Sequence, residues 1–188
     1  MSTDHVRAGR QGEIAFAWTL QRAGLLSQLE SFWSLYVPDA DGTGLPQAGE
    51  HAEADLDCAL LVGNQVWLFD VKQWSQTSTA VLRLGGTMPM LYDRISRLLP
   101  DSVVRSFVVF GGDTDPSDLQ AQPPANTTVL RAEDAVAYLE NNRRFAGDPV
   151  PDPRAVRLFL GLVKPHGSSA HFSPEVTRSG REARVRVA

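Results

Sequence analysis

One cysteine, Cys58, is all the thiol chemistry that 188 residues offer. A lone thiol closes no internal disulfide, so the fold must stand on packing and not on covalent staples. Histidine is also sparse. His5, His51, His166 and His171 are scattered through polar segments and, beside a single cysteine, give no zinc-ligand spacing. No apolar run reaches the length of about 18 residues that a membrane-spanning helix needs. The stretch MSTDHVRAGRQGE has no apolar core of the kind a secretory signal carries. These absences set the expectation of a cytoplasmic protein with no membrane association. Excess positive charge is missing too: Lys and Arg number 18 against 22 Asp and Glu, a formal net charge of -4. That disfavours a chain that coats nucleic acid through bulk charge, but leaves room for an enzyme with a local basic groove. The segment FGGDTDPSD has neither the spacing nor the lysine of a Walker-type phosphate loop.

What is present is ordinary globular material, 43% hydrophobic and 21% charged, without an internal repeat. It predicts one domain over residues 1–165. Residues 166–188 are small, polar and arginine-bearing, without helical or strand periodicity, and read as a flexible tail. Residues 6–23 read as a helix in which Ile14, Ala17, Trp18 and Gln21 follow helical spacing and Gly24 marks the stop. LESFWSLYVP reads as a strand ended by Pro38, and the polar loop DADGTGLPQAGEHAEA follows. Two strands, Leu56–Val62 and Val66–Gln73, flank the short break GNQ, the strongest hairpin signal in the chain. Then come a short strand at AVLRL, a helix at MPMLYDRISRLLP, a buried strand at VVRSFVVF and a second long loop, GGDTDPSDLQAQPPAN. A short strand, TTVL, precedes helices at RAEDAVAYLENNRR and DPRAVRLFLGLV, the latter with Pro153 near its first turn. The order predicts an α/β domain around a mixed sheet. Its antiparallel part is the central hairpin, flanked by helices, and a helical crossover supplies the parallel part. Trp18, Trp33, Trp67 and Phe69 are expected in the core.

Inside the apolar strand VWLFDVKQW stand an acid and a base, Asp70 and Lys72. Strand side chains alternate, so both share a face with Val66 and Leu68. Folding the hairpin about residues 63–65 brings Asp57 level with Asp70 or Lys72. Two or three carboxylates and one ammonium then meet at one edge of a sheet. Uncompensated charge is costly there. A hard cation, Mg2+ or Mn2+, resolves the conflict, because it takes oxygen ligands and needs only one or two protein carboxylates. Such an ion lowers the pKa of a bound water, and a neighbouring lysine can hold that water or offset phosphate charge. The plainer alternative is an Asp–Lys pair exposed where the sheet meets solvent. Glu13 adds a further acid early in the first helix, where an acid is also favourable for ordinary reasons. The glycines before it, Gly9 and Gly12, cost up to ~1 kcal/mol each in a helix interior and point to close approach of another segment.

The set Gly9, Gly12 and Glu13, followed by ADLDCALLVGNQVWLFDVKQW, resembles the nuclease-related domain, a branch of the PD-(D/E)xK phosphodiesterase superfamily. The resemblance covers residues 6–75. It implies a restriction-endonuclease-like core and Mg2+- or Mn2+-dependent hydrolysis of DNA phosphodiester bonds, with RNA left open as a substrate. Asp57 and Asp70 would bind the metal, and Glu13 would join them or hold the helix to the site. Lys72 would position the water, and Gln73, followed by Trp74, would orient the nucleophile or a phosphate. Two departures stand out: Asp70 replaces the more usual glutamate, and Glu53 and Asp55 offer competing acids.

Asp39, Asp41, Thr43, Gly44 and Glu50 fall at EF-hand calcium-loop positions, but Pro46 and the absence of a leading helix or second copy favour an acidic loop beside the site. Arg83, Arg94, Arg97 and Arg105 follow the motif and are candidates for a phosphate-backbone groove, a solvated helix face being the alternative for at least half. The expectation is therefore a metal-dependent DNA nuclease, acting alone or as a homodimer or larger assembly. The alternative is an inactive nuclease-fold module that binds nucleic acid or a protein partner.

Overall fold

The computed structural model describes residues 3–38, 54–72, 80–111, 115–143, 150–163, 175–176 and 185–186. The elements are α1 (Thr3–Arg22), β1 (Glu30–Val37), β2 (Ala54–Val62), β3 (Gln65–Lys72), α2 (Ala80–Leu98), β4 (Val103–Phe110), α3 (Ser117–Ala121), β5 (Thr127–Arg131), α4 (Ala132–Arg143), α5 (Pro153–Leu162), β6 (Glu175–Val176) and β7 (Val185–Arg186). Strands β1 to β5 form one sheet in sequence order. The β1–β2 and β2–β3 pairs are antiparallel, and the β3–β4 and β4–β5 pairs are parallel. The fold is thus α/β, a mixed five-stranded sheet between helices.

Alternation along the strands sends apolar side chains to both faces. On one face Ala59, Leu61, Val66, Leu68 and Val108 meet Met88, Leu91 and Ile95 of α2 and Phe159 and Leu162 of α5. On the other, Cys58, Leu60, Trp67, Phe69 and Phe107 meet Phe16, Ala17 and Leu20 of α1 and Ala135 and Leu139 of α4. Covered on both faces, β3 reads as a near-continuous apolar run, as a central strand should. Across the second core runs an aromatic chain: Phe16 to Phe69 at 5.3 Å, Phe69 stacked on Phe107 at 4.9 Å, and Phe107 edge-on to Tyr138 at 5.2 Å. It ties α1, β3, β4 and α4 together.

The helix ends follow local chemistry. Gly24, with φ +70°, closes α1 in a Schellman turn: Leu25 N–H donates to the Leu20 carbonyl and Gly24 N–H to that of Gln21. Leu20 and Leu25 are both fully buried, the apolar contact that accompanies this turn. Asp152 caps α5, accepting from Arg154 N–H at 2.9 Å, with Pro153 in the first turn.

Several expectations need correction. AVLRL is the first part of α2 and not a strand; the helix runs on through Pro89 to Leu98. Proline forgoes the bond to the carbonyl of the residue four before it, Gly85, and the helix continues on both sides of the ring. The buried stripe of α1 is Phe16, Ala17 and Leu20, which turns Trp18 outward to 40% exposure, while Trp33, Trp67 and Phe69 are core as expected. The second long loop holds the short helix α3, too brief to leave a periodic signature. Within the tail, β6 and β7 pair as a two-stranded antiparallel ribbon, with β7 beside α1. The loop with the EF-hand-like acids, residues 39–50, lies outside the described residues. Among the described residues no helix is long and apolar enough to cross a membrane.

Phe107 lies at the centre of the aromatic chain, so Phe107→Ala is expected to lower the unfolding free energy by about 3–5 kcal/mol in urea titration. Leu160→Ala, at a side chain left 61% exposed on α5, should shift it by no more than about 0.5 kcal/mol. Comparable losses at the two positions would contradict this packing.

Candidate active site

The C-terminal end of β3 lies beside that of β4, its parallel neighbour, at the edge of the sheet where ligands commonly bind in α/β folds. Asp70 stands opposite Val108 and Lys72 opposite Phe110 in the parallel register. Asp70 is only 4% exposed. Lys72 is half-buried, and its Nζ forms an ion pair with Asp70 Oδ1. Since β3 is the central strand and Asp70 is buried, the pair is not an exposed surface bridge.

Asp57 reaches this pair from β2. The β2–β3 ladder runs from Val62↔Gln65 to Cys58↔Phe69 and stops there. Continued one step, the same register would set Asp57 opposite Asp70. The Lys72 carbonyl is turned to β4, where Gly111 N–H donates to it at 3.1 Å. Val71, one residue earlier, therefore turns its N–H toward β2. Asp57 Oδ2 accepts that N–H at 2.7 Å. A side-chain carboxylate thus takes the place of a ladder carbonyl where the two strands part.

The charges at this strand end do not balance. Burial pushes the Asp57 carboxyl well above the ordinary aspartate range, the Asp70 charge adds to this, and Glu13 of α1 raises it further. Lys72 and the Val71 N–H pull the other way without prevailing. Burial pulls the Lys72 ammonium down, but Asp70, Asp57 and Glu13 outweigh it and hold its pKa above the usual lysine range. Cys58, buried on the other face, has its thiol pushed up by burial first and by Asp57 and Glu13 second, so it stays protonated and unreactive. Glu13, partly exposed midway along α1 and not in its first turns as expected, acts on all three groups through its charge.

The expected residues Asp57, Asp70 and Lys72 therefore come together, and Glu13 is close enough for its field to count. Gln73 and Trp74 lie outside the described residues, as does Glu53. Asp55 is exposed on β2. Of the four arginines, Arg94 is buried and donates to the Val37 carbonyl at 3.1 Å, while Arg105 donates to the Tyr138 hydroxyl at 2.7 Å. Those two hold the scaffold together. Arg97 is exposed at the end of α2, and the side chain of Arg83 lies outside the described part. The Val71 N–H was not legible, because no side chain marks a backbone donor. Its signal is indirect: an acid that falls beyond the last rung of a hairpin needs something to hold it.

Among the described residues no group of three or more His, Cys, Asp or Glu stands close enough to hold a metal ion. What the strand end provides is two carboxylates, more negative charge than one ammonium offsets, and Glu13 further out. That donor set fits a hard cation of the magnesium type, which takes one or two carboxylates and leaves its other positions to water and phosphate.

No protein-family model matches the chain, and no curated protein matches it.

Asp57 supplies a pH test. Its folded-state pKa lies above its unfolded value, so the folded chain binds more protons between the two and loses stability as pH rises through that window. Asp57→Asn removes the titrating group and keeps an oxygen that can accept the Val71 N–H. In thermal melts without metal, the variant is expected to exceed the parent at pH 8, with the gap shrinking as pH falls toward the ordinary aspartate value. A constant gap across pH would contradict the charge imbalance.

Proposed function

We propose that this chain is a divalent-metal-dependent nuclease of the restriction-endonuclease-like fold, within the nuclease-related branch of the PD-(D/E)xK phosphodiesterases, that hydrolyses DNA phosphodiester bonds. The observation that carries the reading is the meeting of Asp57, Asp70 and Lys72 at the end of the central strand, with negative charge in excess. A mixed sheet, antiparallel through β1 to β3 and parallel from β3 to β5 between two helical layers, supports it.

In this reading Asp57 and Asp70 hold Mg2+ or Mn2+, and Glu13 adds its charge from α1. When bound, such an ion lowers the pKa of a coordinated water and offsets charge developing on the phosphoryl oxygens. The Val71 N–H orients the Asp57 carboxylate, as outer partners of metal ligands generally do. Lys72 is held as an ammonium by the surrounding carboxylates, so it acts as a donor and a cation and not as a base. It can donate to the attacking water or to a phosphoryl oxygen, an electrostatic role. Asp70 keeps Lys72 at the strand end through their ion pair.

A second reading has one observation in its favour, the absence of a three-ligand group among the described residues. In it the chain keeps the nuclease fold without cutting and binds nucleic acid or a protein partner.

Mn2+ titration and cleavage assays on single- and double-stranded DNA, with RNA in parallel, separate the two. The wild type is expected to bind Mn2+ or Mg2+ and to cut only in their presence, and Asp70→Ala to lose both properties. Lys72→Ala should retain metal binding while cleavage falls by about 10²–10³-fold. A wild type that binds neither ion and cuts no DNA ends the enzyme reading.

A further inference from the structure

We infer that Ser34 is a positioning residue for Asp57: its left-handed backbone breaks the β1–β2 ladder on the rung that turns the Asp57 carboxylate toward Val71. The inference deepens the nuclease reading, and its catalytic meaning rests on that reading. Ser34 has φ +52°, and the other non-glycine residue with positive φ among those described, Asn126, sits in a turn. A left-handed residue inside a strand is uncommon for anything but glycine. Ser34 is only 4% exposed, so this is no loose edge.

The ladder shows what the distortion does. Phe32 pairs with Ala59 and Trp33 with Cys58; the next rung, Ser34 with Asp57, is missing; then Leu35 pairs with Leu56 and Tyr36 with Asp55. No residue is inserted, because the register is the same on both sides of the gap. What changes is the phase. Trp33 lies in the core under α1 and α4, so alternation would place Leu35 and Val37 there too, yet both lie in the core under α2 and α5. On β2, Cys58 and Leu60 lie under α1 and α4, and Leu56 has crossed to the opposite core. Both strands switch faces at one rung, and Asp57 is the residue at the switch.

Without that switch the register would make Asp57 and Asp70 a direct cross-strand pair of like charges, an unfavourable placement. It would also set Leu56, and not the Asp57 side chain, against the Val71 N–H. The twist instead swings the carboxylate onto Val71 at 2.7 Å, leaving its other oxygen for a cation. Distortions of this kind at a sheet commonly re-aim a functional side chain.

Four proteins test this: wild type, Ser34→Gly, Ser34→Thr and Ser34→Val. Glycine accepts the left-handed backbone, valine rejects it, and threonine keeps the hydroxyl while adding one β-branch, so it carries the test should the valine variant not fold. Hydrogen exchange is read at the Val71 amide without metal, with the amides of Phe107 and Val109 as controls for the fold. Wild type and Ser34→Gly are expected to protect Val71 equally, and the threonine and valine variants to exchange it about tenfold faster or more with the controls unmoved. Mn2+ affinity should fall by about 10–100-fold in the branched variants and be kept by glycine. Equal Val71 exchange in every variant that folds would overturn the inference. Val71 exchange as expected, with no Mn2+ binding by the wild type, would leave the positioning role standing and remove the metal reading instead.

Discussion

A strand covered by helices on both faces has room for charge only at its end. β3 obeys that constraint: Val66 to Phe69 are buried on alternate faces, and the ionisable residues begin at Asp70, where the antiparallel ladder with β2 has already stopped. Parallel pairing with β4 continues to the last rung, Lys72 with Phe110. One side of β3 is therefore fixed while the other opens. The open side receives Asp57, and the fixed side keeps Asp70 and Lys72 from following it apart.

The opened strand end is electrostatically unfinished. Lys72 is paired with Asp70, and the remaining negative charge falls on Asp57, whose proton is held more tightly than an aspartate normally holds one. A protein selected for stability alone would place a neutral residue there, since a half-buried carboxyl facing like charges opposes folding. Keeping the acid makes physical sense if a cation completes the arrangement. Strongly perturbed ionisable groups also occur in purely structural networks, and what distinguishes this one is its location at the C-terminal edge of parallel strands.

The legible part of this structure was the part set by periodicity and pairing. The apolar runs of β2 and β3 around Gly63 and Asn64 marked the hairpin, and Val103–Phe110, apolar apart from Arg105 and Ser106, marked a further buried strand, because a strand covered on both faces is mostly apolar. Asp57, Asp70 and Lys72 could be brought together on paper by counting back from the turn. Hidden features were those in which one local preference overrode another. AVLRL looks like strand because it is aliphatic, yet it continues a helix across Pro89 whose buried face, Met88, Leu91 and Ile95, is fixed by the sheet beneath. Trp18 follows helical spacing with Ile14 and Gln21, but Phe16 faces Trp33 and Phe69 and so claims the core side of α1. A serine in a left-handed conformation leaves no pattern at all, since nothing in ESFWSLYV marks where alternation will slip.

Where simple rules fail, they fail together. Regular alternation is lost on β1 at Ser34, on β2 at Asp57, and in the pairing of β2 with β3 beyond Cys58, all within one rung of the same carboxylate. Independent accidents of folding would scatter along the sheet. A left-handed serine and a displaced, half-buried acid with a raised pKa are each unfavourable alone, and a sequence that specifies a single fold tends to concentrate such exceptions where they serve a function. Elsewhere the sheet is conventional, with Cys58 to Val62 and Gln65 to Phe69 paired rung for rung. The exceptions thus begin where that regular pairing ends, at the rung where Asp57 Oδ2 accepts the Val71 N–H in place of a ladder carbonyl.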